Sequence, residues 1–205
     1  KDMLRTDSKE KVDGSAQFSM DKNLNDMVYA MVEKPRYFGS EYIGSNHFDI
    51  KNEPGIIDIF RISSGLAIVG KNTWAITRAR KKLKIEWAKK SKPVNADSII
   101  YKNKLEKLKS KKSSKVKKKG NPSKVFKNSK NILELEYSLP FQTHASMEPC
   151  NCVVNVVDNF CEIWAGTQNP DNVISRASDV TGFPKKNIKL NMTFLGGGFG
   201  RKSFN

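Results

Sequence analysis

The sequence has few of the residues that cross-link a chain or hold a metal ion. It contains three cysteines and two histidines in 205 residues, too few for a disulfide framework. His144, Cys150, Cys152 and Cys161 follow the pattern H-x5-C-x-C-x8-C, which raises a metal site as one alternative. No second close pair supplies the geometry of structural zinc. We therefore interpret the cysteines as small buried side chains.

Long apolar runs are also absent. No run has membrane-spanning length, and no basic stretch followed by an apolar one marks a secretory signal. The first residue is Lys1 rather than methionine, so we expect a fragment or a trimmed chain. The hydrophobic content of 38% suffices for real cores. Nothing here decides between the cytoplasm and the periplasm.

Acidic residues are scarce in the middle of the chain. Between Arg78 and Lys130 there are 21 basic residues and three acidic ones, so this stretch carries more than the whole net charge of +16. Such a balance raises a lysine-rich module for nucleic acid or another anionic surface as an alternative function. Its densest part has one aromatic residue, Phe126, and therefore lacks stacking groups. We favour a solvated helix and a loop, with no nucleic-acid partner.

Residues 1–95 read as a compact α+β unit. Short apolar runs bounded by glycine and proline predict strands, and Asn72 is a candidate N-cap for a helix that places Ala75, Ala79 and Leu83 on one face. Trp74 and Trp87 are expected in the core. The predicted strands lie within Asn25–Pro35, Gly55–Ser63, Gly65–Gly70 and Leu83–Trp87.

Residues 96–130 are predicted to be a lysine-rich helix and loop. Tyr101, Leu105 and Leu108 are spaced i, i+4, i+7, which predicts a helix of about three turns with one apolar stripe. The stretch 113–128 has no such period and is predicted to be a loop, with a turn at Asn121-Pro122.

Residues 131–205 lack the lysine-rich composition of the preceding stretch and contain apolar patterns again. Alternation predicts a strand over 131–140, and a hairpin is expected to turn at Asp158-Asn159. Asn169 should cap a helix that has Pro170 at its first position and ends at Gly182. The predicted buried face of that helix is Val173, Ile174, Ala177 and Val180. A final strand, "NIKLNMTFL", leads into a glycine loop.

The closing stretch "TFLGGGFGRKSFN" misses the common nucleotide-binding patterns. Arg201 separates Gly200 from Lys202, so the P-loop pattern fails, and it stands where a Rossmann fingerprint needs its third glycine. A phosphate or nucleotide site and a plain turn both stay open. A glycine backbone with free N–H groups beside Arg201 and Lys202 suits an anionic, extended cofactor.

Three motifs in order, "THASMEPCNCVV", "IWAGTQNP" and "LGGGFGRK", resemble the molybdopterin-binding large subunits of the xanthine dehydrogenase and aldehyde oxidase family. The form is closest to the isoquinoline 1-oxidoreductase β-subunit type. The upstream segments "PGIIDIF" and "GLAIVGKNTWAITRARKKLKIEW" look like the α/β hammerhead domain of that family. The resemblance implies an α+β fold with a hammerhead domain over 1–95 and a partial molybdopterin-binding domain over 131–205.

The resemblance also implies an activity. The family oxidises aldehydes or N-heterocycles with oxygen taken from water. It uses molybdopterin cytosine dinucleotide, and its iron–sulfur clusters lie on a partner small subunit or a separate domain. The expected partners are that small subunit, the remainder of the large subunit and a small-molecule substrate. The family's catalytic glutamate lies beyond the glycine loop, so we expect no catalytic residue in this chain and no activity from it alone.

The resemblance assigns cofactor contacts to the glycine loop and a few other residues. A "TQNP" segment starting at Thr167 supports the site in the family. We interpret Glu148 as a structural carboxylate and His144 as a hydrogen-bonded scaffold residue, rather than as a general base and a ligand. The residues assigned to cofactor binding are Gln142, Gly196, Gly197, Gly198, Phe199, Gly200 and Arg201.

Overall fold

The computed structural model describes residues 3, 5–37, 39–88 and 97–203. By its internal contacts the chain divides into two units. The outer unit comprises Lys1–Met27 and Gln142–Asn205, and the central unit comprises Val28–Phe141. The elements, in chain order, are α1 (Ser8–Asp13), β1 (Tyr29–Glu33), β2 (Glu41–Ser45), α2 (His47–Ile50), β3 (Ile56–Ile62), β4 (Gly65–Gly70), α3 (Thr73–Lys82), β5 (Ile85–Ala88), α4 (Ser98–Lys109), α5 (Pro122–Asn128), β6 (Val153–Val157), β7 (Phe160–Ala165), α6 (Pro170–Thr181) and β8 (Ile188–Met192).

The central unit is built on an antiparallel sheet with the order β1-β4-β3. Strand β4 lies in the middle and is buried along almost its whole length, as its uninterrupted apolar sequence requires. Met31 of β1 and Ile59 of β3 both stand opposite Ile68 of β4. These strands confirm the three sequence predictions for this region.

Helix α3 covers this sheet. Its N-cap is Asn72, whose side-chain oxygen accepts a hydrogen bond from the Ala75 N–H at 2.8 Å, as predicted. Ala75, Ile76 and Ala79 are buried on its inner face, and Leu83 packs partly buried against the same core. The core cluster is Ile50, Ile59, Leu66, Ile68, Ile76 and Ala79.

Strands β2 and β5 form a separate antiparallel pair. β5 confirms the predicted strand, whereas β2 was not predicted. The pair brings the Tyr42 and Trp87 rings together edge to face, with centroids 5.9 Å apart. The expectation that both tryptophans lie in the core was wrong for Trp74, which is 67% exposed.

The lysine-rich region contains the predicted helix and one that was not predicted. α4 has the predicted extent of about three turns, but all of its residues are exposed, including its apolar stripe. The prediction of a loop over 113–128 was wrong in part, since α5 begins at Pro122. The Asn121 side chain accepts from the Lys124 N–H at 3.3 Å and caps this helix.

The predicted strand over 131–140 did not form. These residues have no regular structure and are exposed throughout, and in the described part of the chain no strand pairs with them. A strand is stabilised by its neighbours rather than by its own alternation. The alternating sequence was therefore insufficient.

The outer unit contains the sheet β6-β7-β8. β6 and β7 form the predicted hairpin around Asp158, which adopts a φ of 51°. β8 then pairs with β7 in parallel, and α6 connects the two strands. The buried residues of this sheet are Cys161, Ile163, Ala165 and Ile188.

Helix α6 begins and ends as predicted. The Asn169 side chain caps it, Pro170 is its first residue, and Gly182 ends it with a φ of 73°. Its residues Val173, Ile174 and Ala177 pack against the sheet. The fourth member of the predicted buried face, Val180, is 86% exposed, so that assignment was wrong.

The cysteines divide into two groups. Cys161 is buried in β7, as interpreted, and burial raises the pKa of its thiol. Cys150 and Cys152 are exposed, so the prediction of a buried role was wrong for them. Among the described residues there is no cluster of three or more metal-ligating side chains, and none of the helices is long and apolar enough to cross a membrane.

Candidate functional site

The glycine loop, Gly196–Gly200, follows the end of β8 in the outer unit. Just before it, Phe194 forms a parallel bridge with Phe18, and its N–H donates to the Gln17 carbonyl at 3.1 Å. A 3-10 turn, Arg201–Ser203, follows the loop. The loop is therefore held at its start by the N-terminal part of the same unit.

The four glycines of the loop all occupy positions that other residues fit poorly, as Gly197 and Gly198 illustrate. Gly197 has a φ of 93°, a left-handed conformation that side chains disfavour. A Cβ on Gly198 would come within 2.5 Å of the Gln168 Oε1 atom. The first constraint arises from the backbone and the second from close packing against "TQNP".

Glu148, in the "MEP" motif, is a buried anchor beneath the loop. Its Oε2 atom accepts from the Gly196 N–H at 3.0 Å and from the Lys202 ammonium at 2.5 Å. Its Oε1 atom accepts from the Ser19 hydroxyl at 3.1 Å and from the Asn151 amide at 3.0 Å. Burial by itself raises the pKa of Glu148, but these hydrogen bonds outweigh it and hold that pKa below its usual value. This fits the interpretation of a structural carboxylate.

Lys202 does not have the role that the sequence suggested. It was expected beside the loop as a cation for an anionic ligand. Instead its side chain is 4% exposed and forms an ion pair with Glu148. The adjacent Arg201 is exposed. The two adjacent basic residues therefore differ in role. Lys202 is paired with Glu148, and Arg201 presents its charge to solvent.

The "TQNP" segment holds the second half of the loop. The Gln168 Oε1 atom accepts from the Gly200 N–H at 3.0 Å. The Lys202 carbonyl accepts from the Gln168 N–H at 3.0 Å and from the Thr167 hydroxyl at 3.1 Å. The loop is thus tied to the end of β7 as well as to Glu148.

Polar groups beside the loop remain available to a ligand. The Ser146 hydroxyl is buried and has no hydrogen-bond partner within the described residues. It lies next to Gly197, because a Cβ placed there would be 3.6 Å from the Ser146 Cβ. In the same described part, the N–H groups of Gly197, Gly198 and Phe199 also have no hydrogen-bond partner. An unpaired buried polar group such as the Ser146 hydroxyl is costly, and a bound ligand can supply its missing partner.

The other predicted site residues lie on the surface of the unit. Phe199 is 70% exposed and has a φ of 51°. Gln142 and His144 are exposed in irregular chain, and no hydrogen bond joins either side chain to the loop within the described ranges. The structure thus brings Glu148, Gln168 and the loop together, but Gln142 contacts none of them by a hydrogen bond.

Comparison with known proteins identifies the kind of domain that carries this loop. Residues 105–205 match the family model of the molybdopterin cofactor-binding domain. The beta subunit of isoquinoline 1-oxidoreductase from Brevundimonas diminuta is 28% identical over 219 aligned residues, which cover 98% of this chain and 27% of the relative. Xanthine dehydrogenase of Emericella nidulans is 34% identical over 87 residues, covering 42% of this chain and 6% of the relative.

Residues 105–205 of this chain belong to the molybdopterin cofactor-binding domain family. Quinoline 2-oxidoreductase from Pseudomonas putida 86 has the same fold over 98% of this chain and 31% of its own, with a TM-score of 0.67 and 14% identity. The overall α+β fold is therefore shared with that structure. The chain spans about a quarter of the length of the curated relative from Brevundimonas diminuta, at 27%.

The molybdopterin-domain match contains the main parts of the candidate site. Glu148, Gln168 and the glycine loop all fall within residues 105–205. Two contributions escaped sequence reasoning. Ser19 lies outside the match and is far from Glu148 in sequence. Ser146 lies inside the "THASMEPCNCVV" motif, but no role was assigned to it from the sequence; its neighbour Ala145 has an unusual φ of 40°.

Proposed function

We propose that this chain is part of the large subunit of a molybdenum hydroxylase, which oxidises an aldehyde or an N-heterocycle with oxygen taken from water. The observation that carries this proposal is the glycine loop with unpaired N–H groups beside the unpaired Ser146 hydroxyl, inside a matched molybdopterin-binding segment. The activity and the substrate are proposed for the complete large subunit. This chain spans only about a quarter of the length of its relative from Brevundimonas diminuta.

The residues present fit a molybdopterin on chemical grounds. A pterin dinucleotide is anionic through its phosphates and carries many hydrogen-bonding atoms. Consecutive backbone N–H groups form a concavity that favours such anions, and Ser146 offers a hydroxyl that has no partner among the described residues. The exposed guanidinium of Arg201 can donate two parallel hydrogen bonds to a phosphate.

We propose a division of roles among the site residues. Gly196, Gly197, Gly198 and Gly200 bring the backbone close to the cofactor, and Phe199 packs at its edge. Arg201 neutralises negative charge on the cofactor. Gln142 donates a side-chain hydrogen bond to it, as the family resemblance implies, and reaches it from an exposed position. The residues of this chain bind and orient, and none serves as a general base.

When bound, the cofactor supplies a Lewis-acidic metal that activates water-derived oxygen and accepts electrons from the substrate. We propose the cytosine dinucleotide form of molybdopterin. We further propose that the electrons leave through iron–sulfur clusters on a small partner subunit. Two relatives, one an isoquinoline 1-oxidoreductase and the other a nicotinate dehydrogenase, are themselves named as single subunits of their enzymes, which supports a multi-subunit arrangement.

We propose an α/β hammerhead domain for residues 1–95 and the beginning of a molybdopterin-binding domain for 131–205. The mixed central unit, with a three-stranded antiparallel sheet covered by α3, supports the first assignment. The domain boundaries stay predictions. The division by internal contacts is a different one, since it groups Lys1–Met27 with the outer unit.

The test uses the complete large subunit, co-expressed with its small subunit. Molybdenum, pterin and iron are measured in the purified complex, and oxidation of one aldehyde and one N-heterocycle is followed in water labelled with heavy oxygen. We expect about one molybdenum per large subunit and the label in the product. A folded complex that lacks molybdenum, or a product without the label, would contradict the proposal.

A further inference from the structure

We propose that Glu148 and Lys202 form a positioning pair that sets the shape of the glycine loop and does not touch the ligand. This inference rests on the proposed function, because the shape matters only if the loop binds a cofactor. Glu148 and Lys202 are two buried ionisable groups that have no part in the proposed binding roles of the loop residues.

The geometry shows one carboxylate oxygen holding both ends of the loop. The Glu148 Oε2 atom receives the Gly196 N–H at 3.0 Å and the Lys202 ammonium at 2.5 Å. The backbone reinforces the first contact, because the Glu148 N–H donates to the Gly196 carbonyl at 3.0 Å. Residues 197–201 therefore form a closed loop whose two ends meet at one atom.

The other carboxylate oxygen connects the loop to distant parts of the outer unit. The Glu148 Oε1 atom accepts from Ser19, in a 3-10 turn near the start of the chain, and from Asn151, three residues ahead. The carboxylate is the acceptor in all four of these hydrogen bonds, which favours its ionised form. Glu148 thus fixes the loop relative to the N-terminal segment of its own unit.

Glu148 and Lys202 are buried and already paired with each other, unlike the buried but unpaired Ser146 hydroxyl. The side chains of Glu148 and Lys202 are 7% and 4% exposed. Removing one partner would leave the other as an uncompensated buried charge, which lowers stability strongly. Replacing both partners can leave stability nearly unchanged. Arg201 keeps its exposed charge for the ligand. A ligand-binding lysine and a positioning lysine therefore predict opposite results for a paired substitution.

The experiment compares Lys202→Met, Glu148→Gln and the double variant in the complete large subunit. One readout is molybdenum and pterin per large subunit. The other is the rate of tryptic cleavage after Arg201, followed by mass spectrometry in cofactor-free protein, which reports loop order without any need for activity. We expect each single variant to be cleaved at least about tenfold faster and to lose most of its cofactor. The double variant should recover to within about threefold of the wild type for both readouts.

A double variant that binds as little cofactor as Lys202→Met, with unchanged cleavage after Arg201, would show that Lys202 contacts the ligand and overturn the inference. Cofactor-free wild-type protein would contradict the proposed function instead. If a single variant does not fold, Ser19→Ala replaces it, since it removes one hydrogen bond and leaves the ion pair. It should raise cleavage after Arg201 by about threefold, and unchanged cleavage would count against the inference.

Discussion

The side-chain oxygen of Gln168 accepts a hydrogen bond from the Gly200 N–H at 3.0 Å, across 32 positions of sequence. The same residue offers its backbone N–H to the Lys202 carbonyl at 3.0 Å. Gln168 therefore stabilises the second half of the glycine loop from the end of the neighbouring strand, as Glu148 stabilises its first half.

Replacing Gln168 by alanine should loosen the loop without unfolding the unit. The variant loses one side-chain hydrogen bond, worth about 1 kcal/mol, and keeps the backbone bond to Lys202. We expect lower molybdenum content in the complete large subunit and an almost unchanged thermal melt. Gln17→Ala is the matched control, because the Gln17 side chain is exposed and makes no hydrogen bond among the described residues. Equal molybdenum in both variants would contradict the role assigned to Gln168.

Acid should weaken the outer unit partly through Glu148. Burial raises the pKa of this carboxyl, but its hydrogen bonds hold that pKa below the ordinary value of 4.5. A carboxyl whose pKa is lower in the folded state binds fewer protons there than in the unfolded chain. Its contribution is complete above the unfolded pKa and disappears as the pH falls through the folded one.

The measurement is the free energy of unfolding by urea at several pH values between about 3 and 6. The wild type should lose more stability on acidification than Glu148→Gln, because the variant has no proton to take up at this position. The remaining carboxyls, including Glu162 with its lowered pKa, are shared by both proteins. Parallel pH profiles would show that Glu148 does not contribute in this way.

The two asparagine caps offer a matched pair in the central unit. Asn72→Ala should lower the free energy of unfolding by about 1 kcal/mol, because α3 packs into the core. Asn121→Ala removes the same kind of hydrogen bond, but α5 buries none of its residues, so its fraying should leave the main transition unchanged. Chemical unfolding of both variants measures this difference, and a larger loss for Asn121→Ala would reverse the account.

Trypsin should cut first between Lys111 and Lys130. Every residue of this stretch is exposed, and only the seven residues of α5 have regular structure there. Cleavage tracks local exposure and opening. Mass spectrometry of early fragments identifies the sites. Initial cleavage within α3, after Arg78 or Arg80, would mean that the lysine-rich stretch is better protected than the sheet-covering helix.

Local signals in the sequence predicted most elements of the outer unit. Asn169-Pro170 and Gly182 correctly marked the two ends of α6, because cap and first-turn chemistry is local. The same Asn-Pro signal stands at 121–122, where the sequence was interpreted as a turn. There it also begins a helix. Helix α5 was not predicted because its sequence has no apolar period. Such a period arises where one face of a helix packs against a core, and α5 buries none of its residues.

Long-range relationships could not be predicted. The alternation over 131–140 suggested a strand, but it contains no information about a partner. Likewise, "GRKS" displays two adjacent cations, and nothing in the sequence shows that Glu148, 54 positions away, takes one of them. The candidate loop was found from its glycines, whereas its anchors Glu148, Lys202 and Ser19 required the fold.

The most direct test of cofactor binding at the loop is the molybdenum content of Gly197→Val in the complete large subunit. Gly197 has a φ of 93° and lies beside Ser146, so valine both strains the backbone and fills the space next to the unpaired hydroxyl. Lys118→Ala is the control, because Lys118 is exposed in the lysine-rich stretch. Circular dichroism melts confirm that both variants are folded. We predict that the control carries as much molybdenum as the wild type and that Gly197→Val carries almost none. A folded Gly197→Val protein with a full complement of molybdenum would contradict the account.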